Sequence, residues 1–325
     1  ILGKTNLKIS TIGIGGNLFG YSCDQASTKK ILRYAEDSGV NFIDTADVYS
    51  EGKSEELIGK GIQGRRDKWI LASKVGLKNN ASSEGLGKKE NIIQRLEESL
   101  KRIKTDYIDL YQIHHFDSIT PLDETFEAFD ELIESGKIRY AGCSNFNGNQ
   151  LQVAEDRATA TFGTRFESTQ AYYNILKRDL EVTILPHCEK FKMGVLVYGA
   201  LGRGILTNKY TIRNNQDINS RVIKNPKIKK DFTVPVLNLL NDLSEFSFQR
   251  KWSNVSQLVI AWVLSRVGVT SAILGSRTVE QLKSNIEAAN IKLKKDELEE
   301  IDRLVGDLNQ YKNTSLGYPG EIFLM

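Results

Sequence analysis

Strand-like apolar runs recur along this chain at intervals of roughly 30 residues, with helix-periodic stretches between them. They lie near 11–15, 41–45, 69–74, 107–113, 138–142, 167–172, 194–198 and 270–274. Eight such units point to an α/β fold closed as a (β/α)8 TIM barrel, with an open doubly wound sheet as the other arrangement that alternation allows. The 325 residues suit one barrel with insertions, read as a single domain over 1–325. Ile92, Ile93, Leu96, Leu100 and Ile103 share one helical face, and 255–267 and 295–309 also read as helices. In 123–137, Asp123 is expected to cap a helix and Gly136 to end it. The first ten residues suit a β-hairpin turning at Gly3-Lys4-Thr5-Asn6. Residues 202–235 form a long polar loop after the seventh strand.

Composition removes several functional classes. A net charge of +3 gives no electrostatic case for nucleic acid. No apolar run reaches the roughly 18–20 residues of a membrane span. The start ILGKTNLKIS has no signal-peptide core, and the missing initiator Met suggests that residues precede it. Cys23, Cys143 and Cys188 are scattered and show no metal-ligand spacing, so no metal is expected and a reducing, cytoplasmic setting fits. Oligomeric state leaves no readable mark.

The chemistry gathers where strands turn polar, which in a barrel is the catalytic rim. Asp44 ends NFID, Tyr49 follows five residues on, Lys74 ends WILASK and His114 ends YIDLYQIH. Reducing a carbonyl by hydride leaves an alkoxide that needs a proton. A phenol with an ordinary pKa of about 10 is a poor donor near neutrality unless a cation lowers that value. Lys74 is expected to do so for Tyr49, Asp44 to hold the ammonium, and His114 to bind the carbonyl oxygen. His115 is expected on the opposite side of the strand. Singly, each of these residues is as well explained by surface or core duty; their joint placement at successive strand ends is what points to a site.

Ser144 and Asn145 after the fifth strand, and Gln170 in the sixth, can grip a carboxamide; Tyr198 can stack on a flat ring. Gly275 and Ser276 open a helix, where backbone N–H groups attract anions, and Arg277 adds a bidentate phosphate donor. Gly59-Lys60-Gly61-Ile62-Gln63-Gly64 matches a dinucleotide fingerprint, but it follows a helical run and precedes a strand, so it reads as a helix end.

With DTADVY, SKVG, DLYQIH, GCSN and GSRTVEQ in this order, the chain resembles the aldo-keto reductase superfamily over nearly its whole length. The resemblance implies an (α/β)8 barrel binding NADP(H) without a Rossmann domain, and a small-molecule carbonyl substrate. It implies a tetrad of Asp44, Tyr49, Lys74 and His114, with Tyr49 as the general acid of reduction. It assigns Ser144, Asn145 and Gln170 to the carboxamide and Tyr198 to the nicotinamide face. Gly199, Ala200, Leu201, Gly202 and Arg203 would cradle the pyrophosphate; Gly275, Ser276, Arg277, Gln281 and Asn285 would hold the adenosine end, with Gly16 and Asp44 completing the cofactor set. Arg277 as a 2′-phosphate contact favours NADPH over NADH. Asn17, Tyr49, His114 and His115 would face the substrate, with Phe19 and Phe116 nearby. The pattern is also similar to the potassium channel β-subunit branch, in which Lys209 and Arg221 match cofactor-gripping positions. The chain departs from many members at Gly199-Ala200, where they carry Ser-Pro, and at Asn17, where they carry Trp or Thr. Two other readings share the fold: a slow, redox-sensing partner subunit, and an aldolase with Lys74 as a Schiff base.

Overall fold

A computed structural model of the protein describes residues 1–77, 85–207, 232–252 and 254–311. Its strands are β1 (Ile12–Gly15), β2 (Phe42–Asp44), β3 (Ile70–Val75), β4 (Ile108–Ile113), β5 (Ile138–Ser144), β6 (Phe166–Tyr172), β7 (Gly194–Tyr198) and β8 (Val269–Leu274). All neighbours are parallel, and β1 pairs with both β2 and β8, so the sheet closes into a barrel and the open-sheet alternative falls away. Around it lie α1 (Gln25–Asp37), α2 (Lys53–Ile62), α3 (Lys89–Ile103), α4 (Leu122–Glu134), α5 (Gly148–Thr161), α6 (Leu180–Phe191), α7 (Val234–Gln249), α8 (Val255–Leu264), α9 (Val279–Glu287) and α10 (Lys295–Val305).

The period-two alternation of strand side chains sorts each strand between two cores. Ile43, Leu71, Tyr111 and Ile113 face outward into the layer shared with the helices. Phe42, Ala72, Leu110, Leu196 and Ile273 fill the lower barrel interior together with Leu2 and Leu7. One layer higher the inward positions change to Asp44, Lys74, Gln112 and Gln170, and the interior becomes polar at the carboxyl end of the strands.

Several sequence expectations need correcting. Residues 1–10 form no hairpin. Leu2 N–H donates to Leu7 O at 2.9 Å and Thr5 N–H to Leu2 O at 3.1 Å, closing a turn that presses Leu2 and Leu7 into the barrel floor. Burial there outweighs a two-stranded ribbon, which is marginal in water. Gly3, at φ +52°, allows this approach: a Cβ on it would lie 2.2 Å from Glu167 O. Asp123 does not cap α4; Pro121 holds that place with φ already near the helical value, and Asp123 sits in the first turn. Gly136 does end the segment, at φ +73°. Residues 255–267 are helical only to Leu264, and 295–309 only to Val305, where Gly306 at φ +62° breaks the run. The glycines at 59 and 61 lie inside α2 and Gly64 follows it, as a helix end should. The long segment after β7 lies in part outside the described residues, and α7 begins within its predicted end.

Candidate active site

Asp44 ends β2 with its carboxylate inside the barrel. The chain then turns back over the rim. Ser50 and Glu51 both adopt left-handed backbone (φ +50° and +56°), Gly52 follows at +83°, and Ser50 Oγ donates to Phe19 O at 3.0 Å. Non-glycine residues in this region store strain, which concentrates at functional sites. The result is that Tyr49 lies over the interior beside Lys74. Lys74 Nζ donates to Asp44 Oδ2 at 2.6 Å, to Thr45 O at 2.9 Å and to Tyr49 Oη at 3.1 Å.

These distances fix proton roles. An ammonium has three donors and no acceptor, and all three of its protons are directed here. Tyr49 Oη therefore accepts from Lys74. Burial pushes Lys74 below the usual lysine range, with the Asp44 charge and hydrogen bond working against that. Tyr49 corrects the sequence expectation: its phenol is pushed well above the ordinary value, by burial first and then by Asp44 and Asp47. Lys74 does not make the resting phenol acidic. It stands where a phenolate would form and lowers the cost of making one. While its three protons are held this way, the ammonium itself is a poor nucleophile.

His114 follows β4; its N–H donates to Val75 O at 2.7 Å. Its ring meets the Tyr49 ring edge-on, with centroids 5.8 Å apart and planes at 78°. Burial, then the Lys74 charge, drives its pKa well below the usual value, so it is neutral at pH 7 and can donate one N–H to an oxygen. His115 is not on the opposite side. Strand pairing stops at Ile113, alternation stops with it, and the His115 ring stacks on His114 with centroids 5.4 Å apart. Burial and Lys74 lower His115 to about 4.

Ser144, Gln170 and Tyr198 converge around Asn145, itself left-handed at φ +60°. Asn145 N–H and Ser144 Oγ both donate to Gln170 O, at 2.9 and 3.0 Å. Asn145 Nδ2 donates to His114 O at 2.9 Å and to Ser144 Oγ at 3.0 Å, while Asn145 Oδ1 accepts from Tyr198 Oη at 2.7 Å. That last bond fixes the tilt of the Tyr198 ring, which packs edge-on against Tyr172. Gly199 follows at φ +75°, and a Cβ there would lie 2.1 Å from the Tyr172 ring. Only glycine fits, which gives the departure from Ser-Pro a physical reason. Gly202 N–H donates to Gly199 O at 2.8 Å, closing the Gly199-Ala200-Leu201-Gly202 turn, and Arg203 follows at φ +58°.

At the other end of the rim, Thr278 caps α9. Arg277 N–H donates to Gln281 Oε1 at 2.9 Å and Asn285 Nδ2 to Ser276 Oγ at 3.1 Å, while the Arg277 side chain is exposed. Gly275 abuts the turn after β1: a Cβ on it would lie 3.2 Å from Asn17 Oδ1. Asn17 is thus exposed beside Gly275, and Gly16 O accepts from Ser54 Oγ at 2.8 Å. Lys209 and Arg221 lie outside the described residues. Two contributors escaped the sequence analysis. Thr45 acts through its carbonyl, which no side chain announces. Gln112 is two residues before His114 and two after Leu110, so strand alternation could have placed it inside. Among the described residues no group of three or more His, Cys, Asp or Glu could hold a metal ion, and no helix is long and apolar enough to cross a membrane. The three cysteines are free and buried.

The fold and the site together define a closed parallel barrel with Asp44, Tyr49, Lys74 and His114 gathered at one rim. The Aldo/keto reductase family model matches residues 11–305, and the chain belongs to that family of oxidoreductases. It is 35% identical over 313 residues to aldo-keto reductase YhdN of Bacillus subtilis (strain 168), covering 94% of this chain and 92% of the relative. It is 36% identical over 319 residues to the uncharacterized oxidoreductase YrpG of the same organism, covering 94% of each. A putative voltage-gated potassium channel subunit beta of Schizosaccharomyces pombe (strain 972 / ATCC 24843) is 31% identical over 328 residues, covering 94% of this chain and 92% of that one.

Proposed function

We infer that this protein reduces the carbonyl group of a small aldehyde, ketone or open-chain sugar with NADPH. The observation that carries the reading is the convergence of Tyr49, Asp44 and Lys74 at hydrogen-bond distance in a buried rim. The family fold supports it, and the residues present suit a nicotinamide dinucleotide. Gly199 keeps open a turn that any Cβ would close against Tyr172, the Ser144–Asn145–Gln170 cluster adjoins it, and α9 directs its N-terminus to the same rim with Arg277 exposed. Ser144, Asn145, Gln170 and Tyr198 would hold the nicotinamide end, residues 199–203 the pyrophosphate, and Gly275, Ser276, Arg277, Gln281 and Asn285 the adenosine end. Lys209 and Arg221 belong to the same proposal.

When bound, that cofactor supplies the hydride. The chain's own part is the proton. As the carbonyl oxygen gains charge, neutral His114 donates a hydrogen bond to it and Tyr49 Oη passes its proton across. A high phenol pKa does not prevent this, because an alkoxide is the stronger base. The phenolate left behind lies 3.1 Å from the Lys74 ammonium, which Asp44 keeps charged. Barrel walls exclude water, so these charges act at low dielectric.

Tyr49→Phe tests the reading, since it removes one oxygen and little volume. We expect kcat over an aldehyde and ketone panel to fall by about 10²–10⁴-fold, with NADPH binding by fluorescence quenching within about twofold of the unaltered protein. Retention of most activity on every carbonyl would remove Tyr49 as the acid.

A further inference from the structure

Asp44 uses only one of its oxygens on Lys74. The other, Oδ1, accepts from two buried amides: Gln170 Nε2 at 2.8 Å and Gln112 Nε2 at 3.2 Å. The two amides also approach each other, Gln170 Nε2 to Gln112 Oε1 at 3.5 Å. Gln112 is wholly buried, one layer above Leu110 on the inner face of β4, and its neighbour across the sheet is Gly142. That glycine makes room for it, because a Cβ on Gly142 would lie 3.1 Å from Gln112 Cγ. A buried amide in a barrel interior carries a desolvation cost unless its hydrogen bonds are made. Here the amide is spent on the carboxylate that holds the lysine.

We propose that Gln112 is a positioning residue of the proton-delivery site, fixing the Asp44 carboxylate so that Lys74 stays charged and aimed at Tyr49 Oη. The role differs from that of Gln170, which stands at the rim and shares its main-chain carbonyl with Ser144 and Asn145. Gln112 reaches nothing but the barrel interior, so whatever engages the Gln170 amide, one donor to Asp44 remains. The proposal rests on the reductase reading for its kinetic consequence only. Its structural consequence concerns Lys74, which faces Asp44 directly, with Asp47 and Glu55 as the other carboxylates acting on it.

The pair Gln112→Met and Gln112→Glu tests this, in full-length protein. Met keeps the length and removes the donor. Asp44 then loses its inner anchor, the hold on the ammonium loosens, and burial drives Lys74 down further. Titrating [13Cε]lysine-labelled protein by NMR, with the Lys74 signal assigned through its loss in Lys74→Met, should show its midpoint lower by roughly half a pH unit or more. In steady-state kinetics kcat should fall about tenfold at pH 7 with the carbonyl KM within twofold, and the alkaline limb of the kcat profile should move down with the NMR midpoint. Glu can share one proton with Asp44, restoring a donor, so its Lys74 titration should return towards that of the unaltered protein. A purely volumetric role for Gln112 predicts the opposite pattern, with Met tolerated and Glu damaging. An unchanged Lys74 midpoint in Gln112→Met overturns the proposal. Failure of the unaltered protein to oxidise NADPH with any carbonyl would sink the reductase reading, while the NMR titration still decides Gln112.

Discussion

Replacing Asp44 by Asn isolates the charge that balances the buried ammonium. Asn keeps an oxygen that can accept from Gln112 and Gln170 but removes the anion 2.6 Å from Lys74 Nζ. Lys74 is fully buried, so two outcomes compete. Keeping an unpaired ammonium inside costs about 3–5 kcal/mol. Releasing its proton costs about 1.36 kcal/mol for each pH unit between the solution and free lysine near 10.4, or about 4.6 kcal/mol at pH 7. The two figures agree closely enough to set the expected loss of stability at about 3–5 kcal/mol. Its pH dependence follows from linkage. In Asp44→Asn the folded lysine binds its proton less tightly than the unfolded one, so the unfolded state holds more protons and stability rises with pH. At pH 9.5 the release cost is only about 1.2 kcal/mol. Urea unfolding followed by tryptophan fluorescence, run on the variant and the unaltered protein at both pH values, should show the deficit shrinking accordingly. The double change Asp44→Asn with Lys74→Met should recover most of the loss at pH 7, because neither charge then remains buried. A deficit below about 1 kcal/mol at pH 7, or one that does not shrink with pH, refutes the assignment of Lys74 as a buried cation held by Asp44.

Gly199→Ala places a Cβ against the Tyr172 ring at a positive φ; we expect NADPH binding, measured by fluorescence titration, to weaken at least about tenfold, with about 1–3 kcal/mol lost in urea unfolding. Arg277→Met should reduce the preference for NADPH over NADH by about tenfold or more in kcat/KM, leaving NADH turnover within twofold. His114 and His115 are both held below their unfolded values, so the unfolded chain binds more protons at low pH; stability should fall as the pH drops below about 6.5, and His114→Gln with His115→Gln should flatten that fall in urea unfolding between pH 7 and 5.

Much of this architecture can be read from the chain because the physics is local. Each of the eight strands is an apolar run of the right length, and each inward carboxyl-end residue follows from alternation. Tyr49, Asp44, Lys74 and His114 meet because strand ends in a closed barrel share one rim. The failures mark the points where tertiary packing overrides local pattern. Residues 1–10 have hairpin chemistry, yet Leu2 and Leu7 gain more by filling the floor. His115 departs from the strand rule because β4 ends two residues before it, at Ile113. The tyrosine's acidity was misjudged because sequence names the neighbouring lysine and not the depth at which both lie. Gln112 was legible in principle, but an amide in a strand attracts no notice until the carboxylate facing it is known. Asn145 illustrates the remaining difficulty: its left-handed backbone, which lets one amide touch His114, Ser144 and Tyr198, has no signature in the letters CSNF.

The turn at residues 2–7 closes the barrel from below. Leu2 and Leu7 fill its floor, so the buried Lys74 ammonium sits on an oily stopper. Deleting residues 1–7 would uncork it. Solvent entering from beneath would rehydrate Lys74 and weaken its grip on the phenol, so a change at the opposite end of the barrel would be felt as lost rate.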